Sequence, residues 1–432
     1  MRWFIAFLFF LAFGSQCSAQ VGYYSPVGVR SEFSSKVDFA VIPFRDLTRL
    51  EKDLALAERD RLRLAVTVGP SVTERADPRL LNDTYRTPSG ELRKKYFPPL
   101  AAHKVMRVID DARLEEVLQP FFEAVARHPE VVDTIFLVDE PYSVGVSRSE
   151  VERLARAVRK AASKYALTPK LAVNFAGATF NAAFARHVEE AAGAFVERID
   201  RYRSENESKP NFAAWNNTVK TARLTTYDLA GNTYVDGGIP EGIDLVSFDF
   251  YLPTLLMDAS FNDTLDWFAQ HTASASCQTF AGLKTRQIRN DLSFFGGPTS
   301  KRDTLTLDQL FDCRNDAIVE LLHKEIAASK SPNARILLIS SSGKDGLMEY
   351  DANGRAKPAQ LDAKVEGRAL DEVIRAIDYF RSHRREIEGL LFFTFADAFD
   401  HSLNLKISGA EGMPAVVQAI AAATKRSDLA RR

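Results

Sequence analysis

Runs of apolar, β-forming residues alternate along the chain with runs in which apolar residues recur at helical spacing. The first pattern predicts eight strands: Val21–Tyr24, Val37–Phe44, Leu62–Val68, Thr134–Val138, Lys170–Phe175, Ile243–Tyr251, Arg335–Ser340 and Gly389–Phe395. The second predicts helices over Leu47–Asp60, Lys104–His128, Ser147–Tyr165, Asn181–Tyr202, Leu307–Ser329, Glu366–Ile387 and, after the last strand, Ala415–Thr424.

This order of elements predicts an α/β protein, a single (β/α)8 TIM barrel with long loops that occupies residues 20–432 as one domain. A doubly wound open sheet is the alternative, but it would require a glycine-rich phosphate loop after an early strand, where Gly22 stands alone. The longest connections are Ser71–Ala102, Arg203–Gly242 and Pro253–Thr306. Loops of this length are typical of functional segments.

The first 19 residues have the pattern of a signal peptide. Arg2 precedes the apolar run Trp3–Phe13, which is shorter than the roughly 20 residues that a transmembrane helix requires. Small residues follow, and we expect cleavage between Ala19 and Gln20. The sequence therefore predicts an exported protein, periplasmic or secreted. No later run is apolar and long enough to predict a membrane span.

Charge and cysteine content narrow the range of partners. The whole chain has a formal net charge of −1, and removal of Arg2 with the signal peptide makes it −2. Mixed charges near neutrality predict no nucleic-acid partner. Cys277 and Cys313 remain after cleavage, and in an oxidising compartment they could form a disulfide. The alternative is a pair of buried free thiols.

Chemistry-bearing side chains follow the predicted strands, where the carboxyl ends of barrel strands meet on one face. Strand four ends at Asp139 and Glu140, followed by Pro141, which cannot extend a ladder. The other residues that we expect to contact substrate, together with Asp139, are Tyr23, Arg45, Asn174, Asp249, Tyr251, Phe395 and Asp397. Aromatic faces stack on sugar rings, and carboxylates and amides bind hydroxyls, so this set predicts a carbohydrate site.

Other chemistries have little support in the sequence. Its seven histidines are scattered, without metal-ligand spacing, so no metal is predicted. Neither a dinucleotide fingerprint nor a P-loop occurs, so no cofactor is predicted. The oligomeric state is left open.

The end of strand four, Leu137-Val-Asp-Glu-Pro141, resembles the Asn-Glu-Pro motif of the clan A glycoside hydrolases, a superfamily of retaining (β/α)8 enzymes. Leu64–Val68, Asp244–Tyr251 and Leu390–Phe395 also resemble that pattern. The resemblance implies a glycoside hydrolase-like protein that acts on a polysaccharide or oligosaccharide, with Glu140 as general acid/base. Asp139 stands where the family has an asparagine that binds the sugar 2-hydroxyl, and its charge would help Glu140 to keep a proton.

One departure from the family pattern concerns strand seven. The family nucleophile is a glutamate at the end of this strand, whereas here the apolar run that starts at Ile336 is followed by serines up to Gly343. Asp345 or Glu349 could reach back from the following loop. Asp249 or Asp397 could instead act as base in an inverting enzyme, whose carboxyls lie roughly 6.5–9.5 Å apart. The remaining alternatives are a catalytically inactive glycan-binding barrel and a structural protein whose strand-end acids are merely solvated.

Overall fold

A computed structural model describes residues 20–76, 84–86, 92–94, 106–206, 234, 236–249, 264–283, 307–343, 348–350, 356–358, 363–400, 405–407 and 409–429. The signal peptide predicted for residues 1–19 lies outside these ranges.

Eight parallel strands form a closed barrel. They are β1 (Gln20–Tyr24), β2 (Phe39–Pro43), β3 (Arg63–Thr67), β4 (Val132–Asp139), β5 (Lys170–Ala176), β6 (Leu245–Asp249), β7 (Arg335–Ser341) and β8 (Ile387–Phe393). Each strand pairs with its neighbours in sequence, and β8 closes the barrel against β1. The closure confirms the predicted (β/α)8 barrel, and the alternative of an open sheet was wrong.

Helices surround the barrel: α1 (Leu47–Asp60), α2 (Asp111–Ala126), α3 (Arg148–Ser163), α4 (Ala182–Asn206), α5 (Thr264–His271), α6 (Leu307–Ala328), α7 (Ala363–Ser382) and α8 (Pro414–Leu429). Between β1 and β2 there is only the single turn Ser31–Ser34. α3 begins with a capping box, in which the Ser147 side chain accepts from the backbone N–H of Glu150 while the Glu150 side chain accepts from that of Ser147. This reciprocal pairing fixes the first turn of the helix.

Two predicted helices extended too far. The range Lys104–His128 included Met106–Val108, which instead forms a short antiparallel pair with Thr73–Arg75. The range Glu366–Ile387 ran into the first residue of β8. Pairing with a distant segment overrode the local helical pattern in the first case, and barrel closure did so in the second. α5 lies in a connection that had been predicted only as a long insertion.

Side-chain alternation along the strands separates two apolar cores. The inner core fills the barrel with Phe39, Val41, Ala65, Phe136, Ala172, Leu245, Leu337, Ile339 and Leu391. A larger core lies between the outer face of the strands and the helices. The C-terminal ends of the strands, called the mouth below, carry the side chains that continue the inward-facing rows.

A disulfide joins Cys277, in the short 3₁₀ helix Ala275–Phe280, to Cys313 in α6. Both cysteines are fully buried. The bridge confirms the predicted pairing rather than two free thiols. In the described ranges, no helix combines the length and apolarity that crossing a membrane requires.

Candidate functional site

The end of β4 presents two adjacent carboxyls at the mouth. The pairing of β4 with β5 shifts register between Phe136 and Asp139, which brings Asp139 opposite Asn174. Glu140 follows with φ 45°, a left-handed conformation that is costly for any residue other than glycine and persists where the surroundings enforce it. Its N–H donates to the carbonyl of Asn174 at 3.0 Å. On a regular strand consecutive side chains point to opposite faces, so the irregular backbone at this end allows both carboxyls to face the mouth.

A third carboxyl reaches the same place from β6. Asp249 continues the inward-facing row that starts at Leu245. Its side chain hydrogen-bonds the carboxyl of Glu140, and the charge of Asp139 also acts on Glu140. Two carboxyls can form this bond only when one carries a proton. Asp139, Glu140 and Asp249 are called the carboxyl cluster below.

A short hydrogen-bond relay orients Asp139. The Ser247 hydroxyl donates to Asn174 Oδ1 at 3.0 Å. The Asn174 Nδ2 group donates to Asp139 Oδ1 at 2.9 Å. Ser247 and Asn174 are both buried, whereas the Asp139 side chain is exposed. The relay therefore fixes one carboxylate oxygen of Asp139 and leaves the second oxygen facing solvent.

The protonation of the carboxyl cluster follows from these contacts. Burial among protein atoms raises the pKa of Glu140 well above its usual value, and the charges of Asp249 and Asp139 raise it further, as does the hydrogen bond that the protonated Glu140 donates to Asp249. Burial also raises the pKa of Asp139, and the hydrogen bond from Asn174 opposes that effect. Asp139 is surrounded by protein and yet remains exposed to solvent. Water at the exposed side chain stabilises the ionised form of Asp139, so Glu140 is the group that holds the proton.

An aromatic pair lies at the mouth across the barrel from β5, at the ends of β1 and β8. The rings of Tyr24 and Phe393 stack with centroids 5.3 Å apart at 28°. The Tyr24 carbonyl accepts from the N–H of Phe395 at 2.9 Å and from the Thr394 hydroxyl at 3.1 Å, which ties the end of β1 to that of β8. Burial and the Asp139 charge raise the pKa of Tyr24, while Arg45 lowers it in part. Tyr24 therefore lies within electrostatic range of both Asp139 and Arg45.

The structure contradicts two predicted substrate contacts, Tyr23 and Phe395, and gives a third, Asp397, hydrogen bonds within its own loop. Tyr23 and Phe395 are 2% and 1% exposed and pack edge-on with centroids 4.6 Å apart in the core between strands and helices. Strand alternation turns Tyr24, rather than Tyr23, into the barrel. Asp397 accepts from the N–H of Gly409 at 3.0 Å, while its own N–H donates to Glu411 at 3.0 Å, so these bonds close the connection between β8 and α8. Tyr23 and Phe395 therefore have no exposed surface for a sugar, and Asp397 has a structural contact within its own loop.

Of the other residues predicted for the site, Asn174, Asp249, Asp139 and Glu140 are brought together at the mouth, and Arg45 is exposed at the end of β2. Tyr251 lies outside the described residues. Tyr24, Phe393 and Ser247 were missed as site residues. They could have been found only by knowing which residues of each strand point into the barrel. That depends on how neighbouring strands align, which the sequence does not show.

The end of β7 carries serines, as the sequence indicated. Ser341 lies opposite Phe393 in register, and Ser342 donates to the Thr394 carbonyl at 3.2 Å. Asp345 and the side chain of Glu349 lie outside the described residues. Asp249 hydrogen-bonds Glu140 directly, which is closer than the spacing expected between the two carboxyls of an inverting enzyme. Over the part of the chain that is described, no set of three His, Cys, Asp or Glu side chains is arranged to hold a metal ion.

Comparisons with known proteins give no family but do give solved structures of low similarity. No family profile matches the sequence, and no curated protein matches it. Similar solved structures include a glucosidase from Croceicoccus marinus, 8% identical over 94% of this chain and 67% of its own, with a TM-score of 0.42. A GH53 catalytic domain from Ignisphaera aggregans is 11% identical over 93% and 91%, with a TM-score of 0.39.

Another similar structure is the endoglucanase Cel5A from Thermotoga maritima, 9% identical over 94% of this chain and 97% of its own, with a TM-score of 0.39. Likeness at this level carries no argument about activity, so the fold rests on the strand order. The fold expected from the resemblance to clan A glycoside hydrolases, a closed (β/α)8 barrel with an Asp-Glu-Pro at the end of β4, is the fold observed.

Proposed function

We propose that the protein is an exported glycoside hydrolase-like enzyme that acts on a polysaccharide or oligosaccharide, with Glu140 as general acid/base. The observation that carries this proposal is the hydrogen bond between the carboxyls of Glu140 and Asp249, with Asp139 beside them at the open mouth. Like charges held together in this way keep a proton on Glu140 near neutral pH. A protonated carboxyl is what a glycosidic oxygen requires as it leaves.

The surroundings of Glu140 suit a sugar. The stacked rings of Tyr24 and Phe393 offer partly exposed aromatic surface on the far side of the barrel from β5. Asp139 offers a solvent-facing carboxylate oxygen, and Arg45 offers a nearby donor. Aromatic surface beside a few fixed polar groups is the composition that carbohydrate sites share.

Two features support export. A short apolar run follows Arg2, and small residues follow that run up to Gln20, which is the pattern of a signal peptide. Farther along, Cys277 and Cys313 are bridged. Disulfides persist in oxidising compartments, so the bridge agrees with a periplasmic or secreted protein.

A second candidate function is a glycan-binding barrel without catalysis, which the serines at the end of β7 favour. Both functions are tested by one screen. The purified protein is incubated with a panel of polysaccharides and oligosaccharides, and new reducing ends are measured beside binding. The enzyme predicts new reducing ends with the wild type, together with binding and no cleavage by Glu140→Gln. Binding without cleavage by either protein supports the glycan-binding barrel, and the absence of both overturns the carbohydrate proposal.

A further inference from the structure

In the described part of the chain, the carboxyl cluster supplies a proton, but no carboxylate is placed as the attacking group. Ser341 occupies the inward-facing position at the end of β7, and a serine cannot replace the carboxylate that forms a glycosyl ester. Asp249 is in hydrogen-bond contact with Glu140. A retaining pair of carboxyls lies about 5–5.5 Å apart so that the anomeric carbon fits between them. Asp249 therefore does not oppose Glu140 across a bound sugar in this arrangement.

Asp139 has the properties of a group that accepts a hydrogen bond from a bound substrate. The relay from Ser247 through Asn174 occupies its Oδ1, and its side chain is exposed. The remaining oxygen is an acceptor that faces the mouth, adjacent in sequence to the proton donor. A carboxylate in this position accepts a strong hydrogen bond from an amide that acquires positive charge.

Thr67 supplies a second polar group at the mouth. Thr67, the last residue of β3, follows Ala65 in the inward-facing row and is 6% exposed. Its hydroxyl forms no hydrogen bond within the described part of the chain. Buried hydroxyls are normally bonded, so this one marks a hydrogen-bonding position that a ligand in the mouth can fill.

Resting on the function proposed above, we infer that the substrate is a β-linked 2-acetamido sugar whose own acetamido group is the nucleophile. Its carbonyl oxygen bonds to C1 as the C1–O bond to the leaving group breaks. The bonding electrons pass to the leaving oxygen, which takes the proton of Glu140. Asp139 holds the N–H of the resulting oxazolinium ion through its solvent-facing oxygen.

Water completes the reaction. It attacks C1 and gives a proton to the Glu140 carboxylate, while the bond between C1 and the acetamido oxygen breaks and its electrons restore the amide. One water is consumed, nothing is oxidised or reduced, and the configuration at C1 is retained. The acetamido oxygen can reach C1 only from the face opposite the leaving group. For gluco- and galacto-configured sugars, that geometry selects the β linkage.

Matched chromogenic substrates test the inference. The pairs are 4-nitrophenyl 2-acetamido-2-deoxy-β-glucoside with the β-glucoside, and 4-nitrophenyl 2-acetamido-2-deoxy-β-galactoside with the β-galactoside. Each pair differs only at C2. We expect one acetamido substrate to have a kcat/KM about 100-fold or more above that of its hydroxyl partner, as a tethered nucleophile provides. The thiazoline analogue of the same sugar, which mimics the oxazoline, should inhibit the wild type competitively.

Asp139→Asn tests whether Asp139 holds the N–H of the oxazolinium ion. It should lower kcat on the acetamido substrate by about 100-fold with little change in KM, and it should weaken thiazoline inhibition. Asp133→Asn is the matched control, since Asp133 lies on the same strand and pairs with Arg63 at the opposite end of the barrel. It should change neither value.

The outcomes separate the inference from the function on which it rests. Glu140-dependent cleavage of the hydroxyl partners at equal rates, or inversion at C1 measured by NMR, would overturn the acetamido mechanism and leave a glycoside hydrolase. Cleavage of no acetamido substrate also overturns the mechanism. If in addition no carbohydrate in the wider panel is cleaved or bound, the proposed function is overturned as well.

Discussion

The two ends of the barrel differ in how their charged side chains are paired. At the N-terminal end, Lys170 Nζ lies 2.5 Å from Glu388, Arg335 lies 3.7 Å from the same carboxylate, and Arg63 lies 3.5 Å from Asp133. Both of these acids therefore have basic partners. At the mouth, by contrast, three acids lie together and the carboxyl of Glu140 hydrogen-bonds that of Asp249. Paired opposite charges are typical of structural ends, whereas like charges held together are typical of sites that perform chemistry.

The largest expected effect is a difference in kcat between two variants, one substituted at each end of β4. Glu140→Gln should lower kcat on a cleaved substrate by about 10²–10⁴-fold, because the amide cannot donate a proton to the leaving oxygen. Asp133→Asn should leave kcat within experimental error. Steady-state kinetics on both variants, with circular dichroism to verify folding, makes the comparison. Equal losses in the two variants would remove the distinction between the ends.

A smaller effect is expected at Asp249. Asp249→Asn removes a charge that raises the pKa of Glu140, so Glu140 should lose its proton at lower pH. The alkaline limb of the pH–rate profile should then move to lower pH, and the rate at neutral pH should fall about ten-fold. A lower rate with an unmoved alkaline limb would mean that Asp249 does not act on the proton of Glu140.

Stability should respond in the opposite direction to activity. A carboxyl whose pKa is higher in the folded than in the unfolded protein makes the fold less stable as pH rises from its ordinary value through the folded pKa. Glu140→Gln removes that effect and relieves repulsion from Asp139 and Asp249. The variant should be more stable than the wild type at neutral pH by about 0.5–2 kcal/mol, with the gap closing in acid. Thermal unfolding across pH measures the gap, and a less stable variant would contradict the repulsion.

The smallest effect is expected at the paired end. Lys170→Met leaves Glu388, whose side chain is 11% exposed, with only the longer contact to Arg335. The free energy of unfolding should fall by about 1 kcal/mol, and kcat should not change. Chemical denaturation and steady-state kinetics provide the two values. A loss of activity would show that the paired end is coupled to the mouth.

Much of the fold was predictable because each barrel strand is a short apolar run between turn signals. β4 and the carboxylates at its end followed from local sequence alone. Local sequence did not show which residues of each strand face the inside of the barrel. Tyr23 and Phe395 were therefore predicted to face the mouth, whereas Tyr24 and Phe393 are the residues that do. Contacts between distant strands, such as that of Asp249 with Glu140, depend on barrel closure and leave no local trace.

The proton held at the mouth can be observed directly. Infrared difference spectroscopy near neutral pH should show the carbonyl band of a protonated carboxylic acid in the wild type and in Asp133→Asn, and the band should be absent in Glu140→Gln. The band should disappear from the wild type only when the pH rises well above the usual glutamate range. A wild type without the band at neutral pH, or a band that persists in Glu140→Gln, would contradict the assignment of Glu140 as the proton donor.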